Sequence, residues 1–159
     1  AASDVYKRQD IIITRTFSKI HGMAGLRMGY MIARPERIEK INNITRGGMG
    51  ITGPTINAAM SSLDDFNFLK VSKNKIITNR IYTVNKLESR GFKPMPSETN
   101  FLIFELPKEL DPNKFLTEIY SKKVTVKVFN FWNKNWCRVS IGSKNSMDTF
   151  FEAFDQAIA

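Results

Sequence analysis

The sequence has few of the residues that build disulfides and metal sites. Its 159 residues include one cysteine, Cys137, and one histidine, His21. A single cysteine excludes an internal disulfide and a zinc site made of cysteines, and His21 has neither a second histidine nor clustered carboxylates beside it. We therefore predict no metal site, and we expect Cys137 to lie in the core and His21 to serve in packing or at the periphery of the site described below. The absence of disulfides favours a cytoplasmic location.

Long hydrophobic runs and acidic residues are also scarce. The longest apolar runs, such as 11–13 and 101–104, are far shorter than the roughly 20 residues of a membrane-spanning helix, so we predict no membrane partner. The chain has 24 Lys and Arg against 15 Asp and Glu, a net charge of +9. Such a charge attracts nucleic acids and phosphorylated small molecules alike. No zinc-finger spacing or aromatic RNA-binding signature is present, so we predict no nucleic-acid partner.

The first part of the chain predicts the end of a helix-covered sheet. Residues 1–9 show no periodicity and are interpreted as a leader, followed by a partial large domain over 10–89. The β-branched run Ile11, Ile12, Ile13 predicts a strand buried on both faces, which is typical of a parallel sheet. Helices are expected over 35–46 and 54–62, on either side of a glycine-containing connector.

A longer helix is expected to follow, with Asp64 as its N-cap and Gly91 as its stop. Apolar residues at helical spacing from Phe66 to Leu87, including Ile81, predict that one face is buried. The opposite face is basic and includes Arg80. We interpret this basic face as solvated surface, since charged helix faces usually are.

The last part of the chain predicts a small domain over residues 90–159. Strands are expected over 100–106, 124–129 and 136–141, and helices over 112–122 and 147–158. The order of these elements is β, α, β, β, α. The whole chain is therefore predicted to be α/β.

The side chains that suit catalysis or ligand binding are concentrated between Thr16 and Tyr30. There Lys19 stands in a loop of small residues, and a lysine amine can form a Schiff base with an aldehyde once it is deprotonated, which a neighbouring cation such as Arg27 favours. The hydroxyls of Thr16 and Ser18 and the fork of Arg27 can donate to phosphate oxygens. A lysine beside a phosphate cradle indicates pyridoxal phosphate. From the residues alone, a glycine-containing loop with a solvated lysine remains the more common arrangement.

A family resemblance favours a pyridoxal-phosphate site over a solvated lysine. The pattern Ser18-Lys19-x-x-Gly-x-Ala-Gly-x-Arg27-x-Gly-Tyr30 resembles the pyridoxal-phosphate lysine motif of class I and II aminotransferases of fold type I, in the branch of the histidinol-phosphate aminotransferases. Thr99 to Leu102 is similar to the strand that opens the family's small domain, and 137–142 is similar to its penultimate strand. The resemblance implies the end of a large parallel-sheet domain followed by a small C-terminal α/β domain.

The resemblance also implies roles for individual residues. Lys19 would be the catalytic lysine that forms the Schiff base with pyridoxal 5'-phosphate, and Thr16, Ser18 and Arg27 would bind the cofactor phosphate. Arg138 would bind the substrate's carboxylate or phosphate, and Asn100 would assist. Without the resemblance, Arg138 is more typical of a surface arginine on a strand, and Asn100 is typical of a residue that bonds the backbone in the turn before its strand.

The implied activity is reversible transfer of an amino group between an amino acid or amino-alcohol phosphate and a 2-oxo acid, in a homodimeric parent enzyme. The family's acidic partner of the pyridine nitrogen and its stacking aromatic ring would precede the segments matched here. We therefore expect this chain to be a C-terminal fragment that is inactive alone. The alternatives are another fold type I enzyme, such as a threonine-phosphate decarboxylase, or an inactive basic binding fragment.

Overall fold

The computed structural model describes residues 11–45 and 50–159. The described residues form two compact units, one ending at Lys70 and the other comprising Val71–Ala159. This division falls inside the longest helix, whereas the sequence placed a boundary at its end, after residue 89. The predicted domain limits, including the leader at residues 1–9, stay predictions.

The first unit contains a two-stranded hairpin and two helices. Strand β1 (Ile13–Thr16) pairs antiparallel with β2 (Gly29–Ile32), and Thr16 lies opposite Gly29. A single 3₁₀ turn, Ala24–Leu26, lies in the loop between them. The following helices are α1 (Pro35–Thr45) and α2 (Gly53–Asp64). Arg46, the predicted end of α1, and part of the glycine-containing connector lie outside the described residues.

The prediction for the Ile11 to Ile13 run is wrong in two respects. The strand begins at Ile13, and its only hydrogen-bonded neighbour among the described residues is antiparallel rather than parallel. Ile12 is 46% exposed, and the strands β1 and β2 contain no buried residue. A run of β-branched residues shows preference for extended backbone, but burial on both faces also requires covering elements, and these are not among the described residues of this unit.

The long helix α3 spans Phe66–Glu88. Asp65, not the predicted Asp64, caps its start: the Phe68 N–H donates to the Asp65 carboxylate at 2.9 Å. The predicted apolar face is also partly wrong, because Phe66 is 75% exposed and Ile81 is 56% exposed. Leu87 is fully buried, so the C-terminal end of α3 carries the helix's buried face.

The second unit confirms the predicted order β, α, β, β, α after α3. Its elements are β3 (Phe101–Glu105), α4 (Pro112–Ser121), β4 (Lys127–Phe131), β5 (Lys134–Ser140) and α5 (Lys144–Ala157). The sheet order is β3-β5-β4, and both pairings are antiparallel. The carboxylate of Asp111 caps the N-terminus of α4, and the hydroxyl of Ser143 caps the N-terminus of α5.

Aromatic packing forms the core of this unit. The ring of Phe154 on α5 lies between 5.0 and 5.9 Å from those of Phe92, Phe104, Phe115 and Phe150. The rings of Phe92, Phe104 and Phe115 meet the Phe154 ring edge-to-face, an arrangement that adds to the stabilisation from burial, whereas the Phe150 ring is tilted by 35°. This core packs against one face of the sheet, and the residues of the other face range from half-buried to exposed.

Arg80 does not lie on a solvated basic face, as the sequence predicted, but is buried. Its guanidinium donates to the Thr99 carbonyl at 3.0 Å and to the Glu98 carboxylate at 2.7 Å. Its neighbour Asn79 donates to the Gly142 carbonyl at 2.8 Å. Two adjacent residues of α3 thus hold the segment before β3 and the segment after β5, because buried polar groups require partners.

No helix among the described residues combines the length and the apolar character needed to cross a bilayer.

We predict that Gly29→Ala opens the β1–β2 hairpin. A Cβ on Gly29 would lie 2.6 Å from the Arg15 carbonyl oxygen, a backbone atom that can move only with its strand. Gly25→Ala is the matched control, because a Cβ there meets nothing within 4 Å. Hydrogen exchange followed by mass spectrometry should show faster exchange in β1 and β2 for Gly29→Ala only. Equal exchange in the two variants would contradict the close approach.

We also predict that Asp155 makes the second unit sensitive to acid. Arg90 donates to Asp155 at 2.5 and 2.7 Å, and this hydrogen bonding lowers the pKa of the Asp155 carboxyl. Because the pKa of Asp155 is lower in the folded chain than in the unfolded chain, where it is near 4, the ion pair stabilises the fold at pH values above about 4. This stabilisation is lost as the pH falls through the pKa of the folded state.

The urea midpoint, followed by the fluorescence of Trp132 and Trp136, should therefore fall less between pH 6 and pH 3 in Asp155→Asn than in the unchanged chain. The control is Glu118→Gln, which removes an exposed acid that makes no ion pair within the described residues. Parallel pH curves for Asp155→Asn and Glu118→Gln would show that the ion pair does not contribute.

Candidate functional site

The Lys19 loop is held by its own backbone and by one buried ring. Phe17 is 1% exposed, and its N–H donates to the Met28 carbonyl at 3.2 Å, which extends the closure of the hairpin into the loop. The Met23 N–H donates to the Phe17 carbonyl at 3.0 Å, and the Gly22 N–H donates to the Lys19 carbonyl at 2.9 Å. Gly22 has a φ of 70°, a conformation that favours glycine. The backbone of Lys19 is thus fixed while its side chain is exposed.

Arg27 lies on the other side of the same loop. Its backbone is left-handed, with a φ of 50°, and its Nη1 donates to the Ala24 carbonyl at 2.9 Å. That bond uses one of the five donors of the guanidinium and leaves the rest for an anion. Between the two strands, residues 17–28 contain the cations Lys19 and Arg27 and no Asp or Glu. The loop is therefore cationic and has no acidic side chain of its own.

Thr16 and Ser18 lie beside Lys19 at the end of β1. The Ser18 N–H donates to Thr16 Oγ1 at 3.0 Å, which keeps the two residues together and leaves both hydroxyl hydrogens available to an acceptor. In the part of the chain that the structure describes, Lys19 Nζ makes no hydrogen bond or ion pair. The set comprises a primary amine, two hydroxyls and a guanidinium. It fits a group that carries both an aldehyde and a phosphate, as pyridoxal phosphate does.

The second predicted cluster lies in the other unit, on the exposed face of the three-stranded sheet. Arg138 is exposed on β5, and its guanidinium carbon lies 5.4 Å from the centre of the Phe101 ring. Asn100 directly precedes Phe101, and its carbonyl accepts the Ile141 N–H at 2.8 Å. The structure therefore places both Asn100 and Arg138 along the β3–β5 pair, with the Asn100 backbone in a structural role.

Sequence reasoning missed Lys127. This residue lies directly opposite Arg138 in the β4–β5 pairing, and opposed residues of antiparallel strands share a face. Two opposed cations repel each other, and an anion bound by both would relieve that repulsion. The alternation of Val126, Lys127 and Val128 is the signal that could have identified Lys127 as the outward-facing residue of its strand.

Cys137 confirms the prediction of a core position. Its side chain is fully buried, on the face of β5 opposite to Arg138, and burial raises the pKa of the thiol to about 12. A thiol that stays protonated at neutral pH is a poor nucleophile. Cys137 therefore has a packing role.

His21 packs within the first unit. Its ring centre lies 4.8 Å from that of Phe17, and its Nδ1 lies 2.7 Å from Ser62 Oγ on α2. This agrees with the predicted packing role. Residues 11–45 and 50–159 contain no group of three or more His, Cys, Asp or Glu side chains arranged to hold a metal ion.

Comparison with known proteins shows the family. The model of the family described as aminotransferase class I and II matches residues 1–154. The match includes the nine residues interpreted as a leader, whose origin stays a prediction.

Individual relatives agree with the family match. The chain is 32% identical over 149 residues to a histidinol-phosphate aminotransferase of Chromohalobacter salexigens, covering 92% of this chain and 42% of the relative. It is 32% identical over 152 residues to that of Clostridium botulinum, covering 94% and 43%. A solved histidinol-phosphate aminotransferase of Sinorhizobium meliloti, in complex with pyridoxal-5'-phosphate, superposes with a TM-score of 0.82 at 26% identity, covering 92% of this chain and 41% of that one.

The chain thus spans less than half the length of the curated relatives it matches. The match to the family model nevertheless covers almost all of its residues, and the fold agrees with a solved structure of a similar protein. The chain therefore belongs to the aminotransferase class I and II family.

Proposed function

We propose that the complete gene product is a pyridoxal-phosphate-dependent aminotransferase. It would transfer an amino group reversibly between an amino acid or amino-alcohol phosphate and a 2-oxo acid. The observation that carries the proposal is the Lys19 amine, exposed and without a partner among the described residues, in a loop that has cations and no acid. Membership of the aminotransferase family supports it.

Three residues of the first unit would hold the cofactor's phosphate. The Thr16 and Ser18 hydroxyls donate one hydrogen bond each, and the guanidinium of Arg27 supplies charge and further donors. All three residues would donate to a charged acceptor, but only Arg27 adds a positive charge and can donate two parallel hydrogen bonds, so Arg27 should contribute most to phosphate affinity.

Lys19 would have two roles. When bound, the cofactor supplies an aldehyde and an aromatic ring that accepts electrons from the substrate's α-carbon. Lys19 Nζ would hold the cofactor at its aldehyde carbon, whose oxygen leaves as water. Once the substrate's own amine has displaced it, the free Lys19 amine would take and return the proton of the substrate's α-carbon. The fixed backbone of Lys19 orients the amine for both tasks.

Arg138 and Lys127 would bind the anionic group of the substrate. Two opposed cations on one exposed sheet face suit a carboxylate or a phosphate, and the guanidinium can donate two parallel hydrogen bonds to either. Asn100 would assist from the start of the neighbouring strand.

The same proposal extends to the assembly and its partners. We expect a homodimer in the cytoplasm that takes a small-molecule amino donor and a 2-oxo acid. Apolar side chains that stay exposed in the first unit support further burial in the complete protein: Met31 is 40% exposed and Met60 is 58% exposed.

The direct test is Lys19→Arg in the complete gene product. This variant keeps the positive charge but removes the primary amine, so kcat for amino transfer should fall by about 10²- to 10⁴-fold. Lys40→Arg changes another exposed lysine of the first unit and should leave kcat unchanged. Amino transfer that survives in Lys19→Arg would contradict the proposal.

A second test separates the two anion sites. Arg27→Ala should weaken cofactor affinity, because the loop loses its phosphate-binding guanidinium. Arg138→Ala should mainly raise KM and spare cofactor binding. Each loss should be on the order of 1.5 to 3 kcal/mol, the contribution of a hydrogen-bonding charged group. Equilibrium dialysis of the cofactor and steady-state kinetics measure the two effects, and identical profiles for the two variants would show that the roles are wrongly assigned.

A further inference from the structure

The Lys19 loop is joined to helix α2 by one side-chain hydrogen bond. His21 Nδ1 and Ser62 Oγ lie 2.7 Å apart, although the residues are 41 positions apart in the sequence. Within the described residues, the other side-chain hydrogen bonds of this loop stay local: Ser18 bonds to Thr16, and Arg27 bonds to Ala24. The His21–Ser62 bond is therefore the long-range polar contact of the loop.

The hydroxyl of Ser62 has its partner outside its own helix. A helical serine or threonine commonly donates to the carbonyl four residues earlier. Thr45, Thr83 and Thr117 do so, at 2.7 to 2.9 Å. Ser62 instead has His21 as its partner. The hydroxyl of Ser62 thus serves the loop rather than its own helix.

His21 is well placed to transmit this contact to Lys19. Its ring lies against the buried ring of Phe17, and the two residues lie on either side of Lys19 in the chain. Between them, the Lys19 carbonyl accepts the Gly22 N–H. A bond that fixes His21 on α2 therefore restrains the short segment that carries the Lys19 amine.

We propose that His21 and Ser62 are positioning residues that hold the Lys19 loop on α2 and thereby set how tightly pyridoxal phosphate is held at Lys19. The inference rests on the proposed function of Lys19. It adds a specific contact outside the phosphate-binding set, and it assigns to the imidazole a role that needs no metal and no proton transfer.

The test compares Ser62→Ala with Ser61→Ala in the complete gene product. Both variants remove one hydroxyl from α2, but Ser61 makes no hydrogen bond to the loop. Ser62→Ala should raise the dissociation constant for pyridoxal phosphate by about 2- to 10-fold, the effect of one neutral hydrogen bond. It should also speed hydrogen exchange of the peptide containing residues 18–23 before the cofactor is added. Ser61→Ala should change neither.

Two further variants separate positioning from general destabilisation. Ser62→Thr keeps the hydroxyl and should restore both affinity and exchange protection. His21→Phe keeps an aromatic ring against Phe17 but removes Nδ1, so adding Ser62→Ala to it should have no further effect. Additive losses in the double variant would overturn the proposal.

The outcomes also distinguish this inference from the function on which it rests. A wild-type protein that binds no pyridoxal phosphate would overturn the proposed function itself, and the positioning role with it, before any variant is compared. A wild-type protein that binds the cofactor while Ser62→Ala matches Ser61→Ala would overturn only the positioning role. Faster exchange in Ser62→Ala with unchanged cofactor affinity would do the same.

Discussion

The close approach of the two hairpin strands is the constraint on which the candidate site depends. The pairing of Thr16 with Gly29 and the bond from Phe17 to Met28 close the loop at its base, and only a residue without a side chain fits beside the Arg15 carbonyl. Closure brings Arg27 back into the loop that carries Lys19. The resulting loop carries Lys19 and Arg27 and no acid of its own, so it attracts anions.

Much of the second unit could be predicted from sequence, because its strands alternate and its helices carry apolar stripes. The sequence was less informative where structure depends on distant partners. Arg80 looked like a solvated charge, but its burial is stabilised by Glu98 and a carbonyl in a segment that local periodicity does not include. The run beginning at Ile11 likewise predicted strand but not which elements would cover it or the direction of its neighbour.

In the candidate site too, the features that local patterns predict differ from those that depend on distant partners. Lys19 stands out as a candidate because a local motif contains it, and strand alternation correctly separated buried Cys137 from exposed Arg138. The pairing of Lys127 with Arg138 depends on the register of two strands, which a residue pattern alone does not fix. The contact between His21 and α2 spans 41 residues and could be found only in the folded chain.

The central claim is that Lys19 is the lysine that binds the cofactor. The most direct measurement is to add stoichiometric pyridoxal phosphate to the complete gene product, reduce it with borohydride and map the modified peptide by mass spectrometry. We predict that the reduced cofactor is found on Lys19 and on no other lysine of this chain. Modification of exposed lysines of α3, such as Lys70 or Lys73, with Lys19 unmodified would contradict it.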